Sequence, residues 1–168
     1  EPEKAEKAVY DFSTYLRGNM DSIESTEPIL FEEELQNIRA YLNIEQMRFG
    51  ERLHVHWDIR CSNFMVPPLT VQPLVENAVR HGICKKVEGG TVSLITYQKD
   101  GFIWIEILDD GVGFEMEHLQ SPSFGGIGIK NLRYRLKTLL NAELDIQSVV
   151  NQGTRQVIQI PEQEARLF

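Results

Sequence analysis

Hydrophobic and polar residues follow a helical period in four segments of the chain and a strand period in five. The helical segments are residues 2–24, 31–49, 72–81 and 126–139. The strand segments are residues 53–59, 91–98, 102–108, 143–149 and 154–160. Short turns containing glycine, at 99–101 and 151–153, join the last four strands in pairs. The pattern predicts helices combined with β-hairpins.

The third helical segment carries an apolar face and a polar face. At about 100° per residue, one arc collects the apolar side chains of Val71, Leu74, Val75, Ala78 and Val79. Asn77, Arg80 and His81 share the opposite side, with Glu76 beside Arg80. We expect the helix to end at Gly82, the glycine after the last periodic residue. An amide, a cation and an imidazole on one side can hold a metal, an anion and a flat ring, but the pattern alone equally fits a solvated surface.

The first helix carries a seven-residue repeat. Two rows of residues recur at this interval, namely Ala5, Phe12 and Asn19, and Val9, Leu16 and Ile23. The repeat predicts the seam of a coiled coil or helical bundle, with Asn19 as its polar position. Two arrangements fit: dimerisation through this helix, or packing of the helix on its own domain. Pro28 ends the segment, because proline disfavours helical geometry in the residue before it.

Several ionisable or nucleophilic side chains lie outside any motif. The glutamates at 32–34 occupy the first turn of the second helix, where we expect them to complement the helix dipole and face solvent. His54 and His56 share one face of a strand, and we predict that this face is solvated. Cys61 and Cys84 have neither metal-ligand spacing nor a disulfide framework, so we predict structural thiols in a reducing compartment.

Length and charge restrict the classes of protein that remain. The chain has 168 residues, a formal net charge of −8 and a pI near 5.0. This length suits one domain, or a domain with an appended helix. The acidic balance argues against nucleic acid as a partner, although a local pocket for one nucleotide stays open. No apolar run approaches the roughly 20 residues of a membrane span. Because the pattern begins within a helix, we expect a piece of a longer protein, with any membrane segment upstream.

Three turns containing glycine carry candidate chemistry. Asp109 ends a strand and is followed by Gly111 and Gly113, where a carboxylate can accept hydrogen bonds from an exocyclic amine. The sequence Gly-Gly-Ile-Gly at 125–128 opens a helix, an arrangement that favours phosphate. A third turn, Gly-Thr at 153–154, enters the last strand. No Gly-Lys-Ser/Thr follows the glycines, which excludes a Walker loop, and the hairpin pairing excludes a dinucleotide fold.

Taken together, these motifs resemble the nucleotide-binding fold shared by histidine kinases, DNA gyrase B, heat-shock chaperone ATPases and mismatch-repair ATPases. The sequence Glu-Asn-Ala-Val-Arg-His-Gly at 76–82 matches the family's N box, and Asp-Asp-Gly-Val-Gly at 109–113 its first glycine box. Residues 126–132 match the second glycine box and 153–154 the last. The resemblance implies an α+β fold, a two-layer α/β sandwich of the GHKL (Bergerat) type. Its mixed, mostly antiparallel sheet would be covered on one face by helices.

Within that group the chain resembles the LytS-type sensor histidine kinases, most clearly at 42–49, 72–82 and 128–136. Residues 1–27 resemble the second helix of the dimerisation and phosphoacceptor hairpin, and 28–168 resemble the ATP-binding catalytic domain. The likeness implies ATP and Mg²⁺ as cofactors, a homodimer in the full-length protein and a response regulator as partner. It also implies the cytoplasmic domain of a bacterial plasma-membrane sensor, tied to the membrane only through upstream segments.

The resemblance further implies roles for residues around the N box. Asn77 would ligate Mg²⁺ that bridges the ATP phosphates, and Arg80 would pair with phosphate oxygens. His81 would line the nucleotide near the adenine or ribose. Glu76, the acid next to Asn77, is a further catalytic candidate.

The glycine boxes would bind the rest of the nucleotide. Asp109 would accept from the adenine amine with support from Thr154, while Gly111 and Gly113 would let the backbone approach the base. Gly126, Ile127 and Gly128 would bind the nucleotide at its phosphates, with residues 121–125 as a short ATP lid.

Two departures from the wider family affect the expected activity. Chaperone and gyrase members carry a glutamate one turn before the N-box asparagine, as a base for the attacking water, and this position is Pro73 here. Transfer to a protein histidine is therefore favoured over hydrolysis. The family's phosphoacceptor would lie on a helix before residue 1, so residues 1–168 should be unable to phosphorylate themselves. Two alternatives stay open: a binding module with this fold but no catalysis, and a hydrolytic ATPase.

Overall fold

The computed structural model describes residues 2–24, 27–120 and 126–165. The helices are α1 (Pro2–Glu24), α2 (Phe31–Phe49), α3 (Gln72–Asn77), α4 (Gly126–Leu140) and α5 (Glu162–Ala165). The strands are β1 (Ile29–Leu30), β2 (Leu53–Ile59), β3 (Met65–Val66), β4 (Gly90–Lys99), β5 (Phe102–Asp109), β6 (Glu143–Val149) and β7 (Gly153–Pro161). All five predicted strands are confirmed, and β1 and β3, which pair with each other, are additional.

The main sheet has the strand order β2-β4-β5-β7-β6. β2 runs parallel to β4, and the other three pairs are antiparallel. The two predicted hairpins, β4–β5 and β6–β7, are therefore present. The β5–β7 pairing joins them and places Asp109 opposite Thr154. The sheet is mixed and mostly antiparallel, as the resemblance implied.

One face of the sheet is buried beneath helices. Alternate strand residues on this face are apolar, since strand side chains repeat every two residues. They pack with buried side chains of α2, α3 and α4 in one core, which includes Leu35, Ile38, Leu74, Leu94, Ile105, Ile107, Leu136 and Ile158. On the opposite face Tyr97 stacks on Trp104, and Arg155 pairs with Glu106 at 2.9 Å. His54 and His56 of β2 are exposed, as predicted.

α1 packs on α2 along one side. The rings of Tyr15 and Tyr41 lie 5.6 Å apart between centroids. A Cβ on Gly18 would lie 2.2 Å from Nδ2 of Asn37, so a glycine here allows the two helices to approach closely. Val9 and other apolar residues of the seven-residue repeat stay exposed, while the side chain of Ile23 lies outside the described part. The helix thus packs on its own chain and still presents an apolar row. Among the helices described here, none is long and apolar enough to cross a membrane.

The expectation that all three glutamates at 32–34 face solvent is wrong for Glu34. This side chain is 1% exposed, because it shares the helical face of Phe31, Leu35 and Ile38. Its Oε1 accepts hydrogen bonds from the backbone N–H groups of Val71, at 2.7 Å, and Gln72, at 3.0 Å. Glu34 therefore caps the N-terminus of α3 from a different helix. Burial raises the pKa of Glu34 to about 7.

Candidate functional site

The helix that carries Asn77 does not end at Gly82 as predicted. α3 continues as a π-helical turn, Ala78–Gly82, and a 3₁₀ turn, Ile83–Lys85. Gly82 has a φ of −91°, which is not the left-handed geometry of a glycine cap. The glycine is required for another reason. A Cβ on Gly82 would lie 2.5 Å from Oδ1 of Asp109, and a Cβ on Gly111 would lie 2.3 Å from the carbonyl carbon of Gly82.

A cavity opens between this π-helical turn, the end of β5, the start of α4 and the β6–β7 hairpin. Its lining residues are Asn77, Ala78, His81, Gly82, Asp109, Gly113, Phe114, Leu119, Ile129, Ile146, Thr154 and Gln156. The tertiary structure thus brings together five residues that sequence motifs had singled out separately: Asn77, His81, Asp109, Gly113 and Thr154.

Asp109 is the buried carboxylate of this cavity, at 7% exposure. Its Oδ1 accepts the N–H of Gly111 at 3.0 Å, and hydrogen bonding to Gly111 and Thr154 acts to lower its pKa. Burial raises its pKa to about 6 despite these hydrogen bonds. The wall beside it is largely apolar, including Phe114, Ile129 and Ile146. An apolar slot with one buried acceptor suits a flat ring that bears an amine.

His81 and Asn77 form the side of the cavity that belongs to the helix. Burial lowers the pKa of His81, and the positive charges of Lys85 and Arg80 act in the same direction. The imidazole is therefore neutral at physiological pH and can line a nucleobase or ribose without adding charge. Asn77 contributes an amide oxygen, a hard ligand of the type that Mg²⁺ accepts. Over the described residues, no group of three or more His, Cys, Asp or Glu side chains is arranged to hold a metal.

Other predicted site residues lie beside the cavity. Arg80 is not among the described residues that line the cavity. Its side chain is 65% exposed, and its Nη2 lies 3.9 Å from Oε2 of Glu76. Gly111 lies behind Asp109 against Gly82. Gly128, in the first turn of α4, is exposed, and a Cβ there would meet no atom within 4 Å. Gly126 begins α4, whereas the surroundings of Ile127 and the predicted lid at 121–125 lie outside the described residues.

The sequence analysis assigned no site role to five residues of the wall: Phe114, Leu119, Ile129, Ile146 and Gln156. Ile129 lies within the second glycine box and the apolar period of α4, and Ile146 belongs to the apolar period of β6, so both were expected in the core. Phe114 directly follows the first glycine box. Gln156 occupies an inward strand position and donates from Nε2 to the carbonyl of Leu74 at 3.2 Å, which ties β7 to α3. Leu119 carried no sequence signal.

The comparison with protein families decides the assignment of this chain. The family described as histidine kinase-, DNA gyrase B- and HSP90-like ATPase matches residues 69–164, which include all twelve residues of the cavity wall. The chain belongs to this family. A second family, described as histidine kinase, matches residues 1–53 and so covers α1 and α2.

Curated relatives share most of the chain. The YwpD protein of Bacillus subtilis is 40% identical over 158 residues, covering 90% of this chain and 57% of that protein. Sensor protein LytS of Bacillus anthracis is 35% identical over 95% of this chain and 29% of its own length. Sensor histidine kinase YpdA of Escherichia coli is 34% identical over 96% of this chain and 29% of its own length. The chain thus spans only 29% to 57% of these proteins. The likeness to LytS-type sensor kinases is confirmed.

Solved structures show the same fold. The histidine kinase domain of the blue-light activated kinase EL346 from Erythrobacter litoralis matches with a TM-score of 0.65 at 21% identity, covering 96% of this chain and 76% of that chain. The catalytic domain of histidine kinase ThkA matches with a TM-score of 0.61 at 13% identity, covering 82% of this chain and 96% of that chain. The predicted two-layer α/β sandwich is therefore confirmed.

Proposed function

We propose that this chain is the ATP-binding kinase core of a two-component sensor histidine kinase. It binds Mg²⁺·ATP and transfers the γ-phosphoryl group to a histidine located before residue 1. The observation that carries the proposal is the convergence of the Asp109–Thr154 pair with Asn77 and His81 on one cavity. Family membership and the sensor kinases among the relatives support it.

The adenine lies in the apolar part of the cavity. Asp109 accepts a hydrogen bond from the exocyclic amine, and Thr154 holds the carboxylate in place. Gly113 lines the cavity beside the base, and Gly111 lets the Asp109 turn pack against Gly82, because a side chain at either position would collide with neighbouring backbone atoms. His81, neutral at physiological pH, lines the base or ribose.

The phosphates extend toward Asn77 and the start of α4. The side-chain oxygen of Asn77 would hold Mg²⁺, which would neutralise phosphate charge during the transfer. Arg80 neutralises phosphate charge, and Gly126, Ile127 and Gly128 bind phosphate at the helix N-terminus. Glu76 is outside the described cavity wall and accepts hydrogen bonds from Tyr15 and Gln72, so we assign it no step in the transfer. In the transfer step, the bond between the γ-phosphorus and the bridging oxygen breaks, ADP leaves with the electron pair, and a bond to an imidazole nitrogen forms. Positioning and charge neutralisation dominate such a reaction.

The assembly follows from the same proposal. Residues 1–27 belong to a dimerisation and phosphoacceptor hairpin, and 28–168 to the catalytic domain. The full-length protein is a homodimer that passes the phosphoryl group to a response regulator, and this domain lies on the cytoplasmic side of a membrane sensor.

Calorimetric titration with Mg²⁺·ATP tests the binding site. We expect the wild type to bind, and Asn77→Asp to bind Mg²⁺·ATP at least tenfold more weakly while keeping its affinity for adenosine. Equal Mg²⁺·ATP binding by both proteins would remove the metal role assigned to Asn77.

The kinase activity is tested on the longer natural protein, which includes the upstream helix. We expect acid-labile transfer of phosphate from γ-labelled ATP to a histidine. Nucleotide binding without transfer would instead favour a non-catalytic binding module. Steady release of phosphate would favour a hydrolytic ATPase, which Pro73 in the place of a catalytic glutamate makes the weaker candidate.

A further inference from the structure

Four polar side chains connect α1 to the helix that carries Asn77. The Tyr15 hydroxyl donates to Oε1 of Glu76 at 3.2 Å. Nε2 of Gln72 donates to the same carboxylate oxygen at 2.9 Å and to Oδ1 of Asn19 at 2.8 Å. We call Tyr15, Asn19, Gln72 and Glu76 the α1–α3 network. The two bonds that reach α1 span 53 and 61 residues of sequence, so these two exist only while α1 is docked.

The network is shielded from water, which strengthens its hydrogen bonds. Gln72 is 1% exposed, and the side chain of Glu76 is only one-fifth exposed. Burial and the adjacent negative charge of Glu76 raise the pKa of Tyr15, so its hydroxyl stays protonated and able to donate. The tilted contact between the rings of Tyr15 and Tyr41 also holds Tyr15 in this place.

The second oxygen of Glu76 faces Arg80. Nη2 of Arg80 is 3.9 Å from Oε2, a distance at which no direct hydrogen bond forms. The two residues are one helical turn apart, close enough for a short ion pair if the carboxylate were free to turn. Oε1 is held instead by Tyr15 of α1 and by Gln72 of α3, and Gln72 is itself held by Asn19 of α1.

We propose that Tyr15 is a positioning residue for nucleotide phosphate. Its hydrogen bond keeps the Glu76 carboxylate turned toward α1, which leaves the positive charge of Arg80 available to the polyphosphate. Release of Glu76 lets it close on Arg80 and neutralise that charge. The docking of α1 therefore sets the affinity for the phosphate part of the ligand. The inference rests on the proposed function, since it assumes that ATP binds beside Asn77.

Titrations with ATP and with adenosine at low ionic strength test this role. For Tyr15→Phe we expect ATP affinity to fall about 2- to 5-fold, the range that partly exposed ion pairs support. Adenosine affinity should stay unchanged, because adenosine has no phosphate. Tyr10→Phe is the matched control: Tyr10 lies on the same helix, is 71% exposed, and its variant should bind both ligands as the wild type does.

A second substitution separates positioning from structural support. In the Tyr15→Phe background, Glu76→Gln should restore ATP affinity, because a neutral amide cannot neutralise Arg80. In the wild-type background, Glu76→Gln should raise ATP affinity, because it removes the negative charge 3.9 Å from Arg80. Unchanged ATP affinity in Tyr15→Phe, equal losses for ATP and adenosine, or failure of Glu76→Gln to restore binding would each overturn the positioning role. A wild type that binds adenosine but not ATP would overturn the proposed function itself.

Discussion

The carboxylate of Glu34 accepts a hydrogen bond of 2.7 Å from the backbone N–H of Val71, the residue immediately before the Asn77 helix. Just before this helix, Nη2 of Arg135 in α4 donates to the carbonyls of Pro68, at 2.7 Å, and Leu69, at 3.1 Å. Leu69 has a φ of +57°, a strained value for a residue with a side chain. Two side chains from different helices therefore hold the segment that leads into the candidate site.

Loss of the Glu34 cap should destabilise the domain. We expect Glu34→Ala to lower the free energy of unfolding by about 2–4 kcal/mol, because two buried N–H groups lose their acceptor. Glu34→Gln keeps an acceptor oxygen and should lose less than half of that. Urea denaturation measures the free energy of unfolding of both variants. Glu33→Ala, which changes an exposed neighbour, is the control and should unfold as the wild type does. Equal losses in the Ala and Gln variants would show that the hydrogen bonds are not the cause.

The raised pKa of Glu34 makes stability depend on pH. Burial moves this pKa from an ordinary 4.5 to about 7, so between these values the folded state holds a proton that the unfolded state lacks. The stabilisation is complete below pH 4.5 and is lost as pH rises through 7. Glu34→Gln removes this dependence. The stability of Glu34→Gln relative to wild type should therefore rise between pH 5 and pH 8, by about 1–3 kcal/mol. If the stability difference between Glu34→Gln and wild type did not change with pH, the raised pKa of Glu34 would be contradicted. Asp109 also has a raised pKa, but it does not affect this difference because both proteins contain it.

Asp109→Asn should separate nucleotide binding from stability. We expect at least a tenfold loss of affinity for ATP and adenosine, because the amide cannot offer two acceptor oxygens to Gly111, Thr154 and the amine together. At pH 7 the unfolding temperature should be unchanged or higher, since the wild type keeps a buried charge with a pKa raised to about 6. Calorimetry and thermal denaturation measure the two effects. As a control, Asp110→Asn changes an exposed neighbour and should bind both ligands as the wild type does. If Asp109→Asn kept its affinity for adenosine, the role of Asp109 in adenine binding would be excluded.

Gly82→Ala should damage the cavity through a steric contact. The new methyl group would lie 2.5 Å from Oδ1 of Asp109, a distance that forces the carboxylate or the backbone to move. We expect adenosine binding to be lost and the free energy of unfolding to fall by about 1–3 kcal/mol. Gly128→Ala is the control for the effect on folding. Its methyl group would meet no atom of the described residues within 4 Å and alanine favours a helix, so the free energy of unfolding should not fall. Normal adenosine binding by Gly82→Ala would show that the π-helical turn can adjust.

The local residue pattern predicted the five strands of the main sheet, both hairpins, the helix that carries Asn77 and the motifs that contain Asp109 and Thr154. These features depend on periods of two or 3.6 residues and on local turn chemistry, which neighbouring residues specify. The other features depend on contacts between residues far apart in the chain. Glu34 looked like an ordinary first-turn acid until packing placed it against Val71, 37 residues away. Gly82 looked like a helix terminus until Asp109 was found against it.

Asn19 shows the same division. The seven-residue repeat correctly marked it as a polar position on a helix, but its partner, Gln72, lies 53 residues further along the chain. Hydrogen bonds of this kind depend on which helices pack together, and helix packing follows from the shape of the whole core rather than from any local period. Local sequence thus specified the elements and most of the nucleotide motifs. The folded core decided which side chains support them and connect α1 to the site.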